Sequence, residues 1–104
     1  MGLDWVIQPL PDEVHTDNYD DTDYEYSWRF RANKLKMSGV PEFLINEAHK
    51  DMTPWEMTEL SDTLGQEITT NTEDYTDEEV DVIEHATGWL EYWADKDKCV
   101  YASY

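Results

Sequence analysis

The sequence predicts an α+β fold, in which a small antiparallel sheet of about three strands packs with about three α-helices in the order β-β-α-α-α-β. Three observations carry that expectation. Tyr24, Tyr26, Trp28 and Phe30 alternate with Glu25, Ser27, Arg29 and Arg31, the period-two pattern of a strand with one aromatic face. Thr53-Pro54-Trp55-Glu56 and Thr76-Asp77-Glu78-Glu79 are capping boxes, and each opens a run with apolar residues at helical spacing. The chain has 104 residues, the size of one acidic domain spanning 1–104.

The elements follow in order. Residues 3–8 (LDWVIQ) form a short apolar run stopped by Pro9 and Pro11, which suits a first strand. Residues 11–25 hold seven acids and no Lys or Arg, and read as a loop or hairpin arm. The alternating aromatic strand comes next and would pair antiparallel with the first through that acidic loop. Residues 29–36 (RFRANKLK) carry four of the seven basic residues and no acid, and Ser38-Gly39 marks a turn. Pro41 suits the first position of a short helix, PEFLINEAHK, with Phe43, Leu44 and Ala48 inward.

The next helix, capped by Thr53, aligns Met57, Leu60, Leu64 and Ile68, and Gly65 weakens it near its end. After a polar linker, the helix capped by Thr76 is expected to turn Val80, Ile83, Thr87, Leu90 and Ala94 inward, flanked by Trp89 and Trp93. Its first turns hold Asp77, Glu78, Glu79, Asp81 and Glu84, and carboxylates there favour the helix dipole. Asp95 to Lys98 reads as a turn. Val100 and Ala102, alternating with Tyr101 and Ser103, suggest a closing strand at a sheet edge.

Charge narrows the function classes. Seven Lys plus Arg against 25 Asp plus Glu give a formal net charge of −18. Such a chain has little with which to neutralise a phosphate backbone, so most classes of direct nucleic-acid binder are ruled out, and docking on an anionic membrane is disfavoured. Fourteen of the 104 residues are Trp, Tyr or Phe, too many for a disordered acidic tail. Mutual repulsion of the carboxylates costs stability, which suggests that a cation, salt or a basic partner gives the charge its use. The single cysteine, Cys99, cannot form an intramolecular disulfide and is expected to be a partly buried strand residue. The opening residues lack the basic region of a signal peptide and no apolar run is long enough to span a membrane, so a cytosolic setting is expected.

Specific chemistry finds little support in the residues. Asp81 with His85, or His49 with Asp51, would start a metal site, but neither pair has a further partner at defined spacing. Read as a calcium loop from Asp17, the sixth and twelfth positions are Thr22 and Trp28 rather than Gly and Glu. No glycine-rich phosphate loop or nucleophile elbow occurs. The expectation is therefore a protein without enzymatic activity, metal or cofactor.

The acids themselves are the informative feature. Residues 73–84 repeat the pattern of 11–25, with seven acids and no Lys or Arg. Regular spacing on a strand or helix would present them as an array that a phosphate-gripping protein mistakes for nucleic acid. Tyr and Trp beside such charges would anchor the contact. The candidate partner-binding residues are Asp17, Tyr19, Asp20, Asp21, Asp23 and Glu25 in the first run, Glu73, Asp74, Tyr75, Asp77, Glu78 and Asp81 in the second, and Trp55.

Met1-Gly2-Leu3-Asp4-Trp5 and Asp51-Met52-Thr53-Pro54 resemble stretches of small uncharacterised proteins from phages and large viruses. In size and charge the chain also resembles phage-encoded DNA-mimic inhibitors: anti-CRISPR proteins, anti-restriction proteins and uracil-DNA glycosylase inhibitors. That resemblance implies an inhibitor in the cytoplasm of an infected bacterium, blocking the nucleic-acid-binding groove of a CRISPR-Cas effector first, or of a restriction or repair enzyme. These families share no motif, so no functional residue is carried over, and mimicry does not account for the basic segment 29–36. Two other readings stand beside it. One is a regulatory module binding a host protein such as RNA polymerase through an aromatic surface. The other is a small metal- or nucleotide-binding protein. The sequence leaves homo-oligomerisation open.

Overall fold

The computed structural model describes residues 3–8 and 28–103. Three strands, β1 (Asp4–Gln8), β2 (Arg29–Phe30) and β3 (Cys99–Ser103), form an antiparallel sheet in the order β2-β1-β3. Four helices accompany it: α1 (Asn33–Met37), α2 (Glu42–Ala48), α3 (Pro54–Thr70) and α4 (Asp77–Asp95), with a 3-10 turn at Thr72–Asp74. The α+β architecture agrees with the sequence pattern, and the order of elements matches it roughly, with one helix more than the three expected. The expected acidic arm 11–25, and Tyr24 and Tyr26 of the expected aromatic strand, lie outside the described residues.

Strand register fixes the inner face. Trp5 opposes Phe30 on one side and Ala102 on the other, and Ile7 opposes Val100. These five side chains are buried together, as period-two alternation requires. Trp5 is fully buried, and its indole N–H donates to the Ala48 carbonyl at 2.8 Å. Ala48 ends α2, where carbonyls lack intrahelical partners, so the strand satisfies a helix terminus. The Trp5 ring lies 5.4 Å from Phe30 and 5.8 Å from Trp89 of α4, centroid to centroid.

The free edge of β3 is protected. Met52 exchanges backbone hydrogen bonds of 2.9 and 2.8 Å with Val100. The Asp51 carboxylate accepts the Ala102 N–H at 2.9 Å. An edge with its donors occupied offers no template for another strand.

The extra helix, α1, lies in the basic segment. It has five residues, no side-chain N-cap and one buried side chain, Leu35, so it carries almost no periodic signal. Gly39 ends it at φ 82°, with Val40 N–H bonding Leu35 O and Gly39 N–H bonding Lys36 O, a Schellman motif. In α2, Pro41 caps the helix from one position earlier than expected. Leu44, Ile45 and Ala48 form its buried face, whereas Phe43, expected inward, is 61% exposed. A seven-residue helix has room for one inward stripe, and 44/45/48 excludes residue 43.

Both capping boxes form: Thr53 with Glu56 and Thr76 with Glu79. Along α3, Met57, Leu60 and Leu64 are buried and Ile68 is half-buried. The buried face of α4 is Ile83, Ala86, Trp89, Leu90 and Trp93. The expected stripe is therefore rotated: Val80, Thr87 and Ala94 are half-buried, and the two tryptophans are central rather than flanking. Both stripes have helical spacing, and burying two indoles removes more apolar surface from water. Cys99 is exposed rather than partly buried, because strand alternation gives the inward positions to Val100 and Ala102.

Helix α4 ends in a second Schellman motif, with Lys98 N–H on Trp93 O at 3.0 Å and Asp97 N–H on Ala94 O at 2.9 Å. Here the left-handed position is Asp97, at φ 64°, an acid at the negative end of the helix dipole. Asp97→Gly should therefore raise stability by up to about 1 kcal/mol, seen as a higher thermal midpoint. Trp5→Phe should lower it by about 2–4 kcal/mol, because it opens a cavity and leaves the Ala48 carbonyl unpaired. Urea unfolding with a lower midpoint and unchanged slope is the expected readout.

Candidate functional site

Between residues 54 and 95 the chain carries thirteen Asp or Glu and no Lys or Arg. This stretch is α3, the 3-10 turn and α4. The two helices run back along each other: the Ser61 hydroxyl reaches Thr87 O and Glu91 Oε1, while Glu67 meets Tyr75 near the turn. Their apolar stripes face the core, so the acids take the outer faces.

On α4, Asp77, Asp81, Glu84, Glu91 and Asp95 recur at helical spacing and are all exposed. With Glu78 and Glu79 the helix carries seven carboxylates in 19 residues. At the α-helical rise this is one charge per roughly 4 Å, close to the roughly 3.4 Å per charge of one DNA strand. Among the described residues ion pairs join Arg29 to Asp4 and Lys50 to Glu47, and neither pair involves α3 or α4.

The expected partner-binding residues separate into three groups. Glu73, Asp74, Asp77, Glu78 and Asp81 are exposed around the 3-10 turn and the start of α4. Tyr75 lies among them but is half-buried, and its hydroxyl donates to Glu67 Oε1 at 3.1 Å. Burial, then the bond to Glu67, pushes its pKa up to about 12. Tyr75 thus braces the turn against α3. Trp55 is 69% exposed at the other end of α3, about four turns and roughly 22 Å from that helix's C-terminus. It does not share a surface patch with the acids of the turn. Asp17, Tyr19, Asp20, Asp21, Asp23 and Glu25 lie outside the described residues.

Glu91 and Asp95 extend the array beyond the run recognised in the sequence. Their signal was available: Glu91 follows Glu84 by seven residues, and no Lys or Arg interrupts 85–95. Two tryptophans in the same stretch draw attention to the core face instead.

The basic segment adjoins this helix. The His85 ring stacks on Phe30 with centroids 5.6 Å apart. Desolvation, and secondarily the charge of Lys34, holds its pKa below the usual histidine value of 6.5. Asp81 and His85 gain no third metal-ligand type neighbour among the described residues. Among those residues, too, no helix is long and apolar enough to cross a membrane.

Compared with known proteins, the chain matches no family model, no curated protein and no solved structure.

The His85 shift has a definite sign. The unfolded chain binds the proton more readily, so this group's contribution to stability is intact above about pH 6.5 and is lost as pH falls below it. An NMR titration should find the His85 ring ionising below pH 6.5, and Lys34→Gln should move the midpoint upward.

Proposed function

We propose that this protein is a non-enzymatic inhibitor that mimics nucleic acid and blocks the nucleic-acid-binding groove of a bacterial defence protein, with a CRISPR-Cas effector as the first target class and restriction or repair enzymes as the second. The observation that carries the reading is the α3–α4 hairpin, which holds thirteen acids and no Lys or Arg. Its acids sit on helices anchored by a buried aromatic core, so their spacing is set before any partner arrives. Binding then spends little free energy on ordering the charges.

A groove lined with Lys and Arg would attract this surface over long range and exchange its counterions for fixed carboxylates. Occupation would exclude nucleic acid by charge and by bulk, without turnover. The site of action would be the cytoplasm of the infected bacterium. Association should be fast at low salt and slow sharply as salt shortens the screening length.

The test is charge reversal at exposed positions that cap nothing: Asp81→Lys, Glu84→Lys and Asp95→Lys together. Inhibition of DNA binding by the target should weaken at least about tenfold, with the thermal midpoint retained. A parallel triple, Asp20→Lys, Asp21→Lys and Asp23→Lys, reads the contribution of the first acidic run. Undiminished inhibition by both triples would sink the proposal.

A further inference from the structure

A groove of about 450 Å³ lies between α2 and the first half of α3. Leu44, Leu60 and Met52 line it, each buried in the core below, so its floor is apolar. Phe43 also lines it and remains 61% exposed, although its neighbours on α2 face the core. The walls are acidic: Glu56, Glu59 and Asp62 on α3 and Glu47 on α2. The one base in the lining, Lys50, is bonded to Glu47 at 3.1 Å. Trp55, four residues before Glu59, covers the adjacent turn of the same helix face and is 69% exposed.

We propose that this groove is a second docking site, which takes a basic amphipathic helical segment of a partner protein. Charge sets the sign of the occupant: an apolar floor with four carboxylates on its walls fits apolar anchors flanked by Lys or Arg. A groove between two helices suits an incoming helix, with Phe43 and Trp55 supplying aromatic contact at its sides. The chain itself supplies no such segment in its acidic run 11–25, which has seven acids and no Lys or Arg. A second copy, at net charge −18, would approach against mutual repulsion. The inference is independent of the nucleic-acid mimicry of α4, because it needs apolar anchors as well as positive charge.

The experiment uses the whole chain and two labelled peptides of about four helical turns. One carries Leu at i, i+4 and i+7 with Lys and Arg elsewhere. The other has the same charge with each Leu replaced by Ser. Fluorescence anisotropy at about 0.15 M salt should show the Leu peptide binding at least about tenfold more tightly. Phe43→Ser and Glu59→Lys, both at exposed positions, should each weaken the Leu peptide several-fold and leave thermal stability nearly unchanged. The α4 triple Asp81→Lys, Glu84→Lys, Asp95→Lys should keep the preference for the Leu peptide, which separates this site from the mimic surface.

Equal affinity for the two peptides would reduce the binding to net charge and overturn the proposal. So would an unaltered preference in both groove variants, or no binding of the Leu peptide. Sedimentation gives the remaining outcome: a dimer abolished by Phe43→Ser would assign the groove to a second copy and overturn the basic partner.

Discussion

The indole of Trp5 is where the sheet, α2 and α4 meet. Its ring is buried against Phe30 of β2 and Trp89 of α4, which also pack on each other, and its N–H closes on the last carbonyl of α2. One side chain on the central strand thus fixes the tilt of the long helix, the seat of the short one and the position of an otherwise minimal strand. A buried indole needs a partner for its N–H, so the placement is directional as well as apolar. The remainder of the core, from Leu35 to Val100, fills around that point.

The same core makes the charge tolerable. A hairpin with thirteen acids and no Lys or Arg repels itself, and repulsion of that kind opens a weakly packed helix pair. Here α3 and α4 each begin with a closed capping box, and α4 contributes two fully buried tryptophans. Acids in the first turn of α4 also meet the positive end of its dipole. Stability comes from the inner face, which leaves the outer face free to be selected for charge. That division lets a rigid acidic array exist in a domain this small.

How much could be read from the sequence follows from the range of each signal. The capping boxes are local and strong, so the starts of α3 and α4 were readable to the residue. The apolar run before Pro9 marked β1, and alternation marked β3. Helix α1 was not readable, because five residues around Leu35 carry no period and the helix exists through its packing. The rotation of α4 had the same cause: two regular stripes competed, and contacts with Trp5 and Phe30 decided between them. At the candidate site, the acids of 73–84 were visible as composition. Glu91 and Asp95 continue their helical spacing and the capping box already puts Trp55 at the start of α3, whereas the tie between Tyr75 and Glu67 is a consequence of tertiary structure. The exposed Phe43, which opens the α2–α3 groove, was hidden because an aromatic in a short helix reads as core.

The central claim is that the acidic face competes with nucleic acid for a basic groove. Its most direct measurement is capture of partners by the tagged protein from nuclease-treated lysate of bacteria carrying defined defence systems, with and without added duplex DNA. The account predicts a nucleic-acid-binding defence protein that is captured without DNA and released in proportion to the DNA added. A defence protein that stays bound under saturating DNA would contradict it, because the contact would then lie away from the groove.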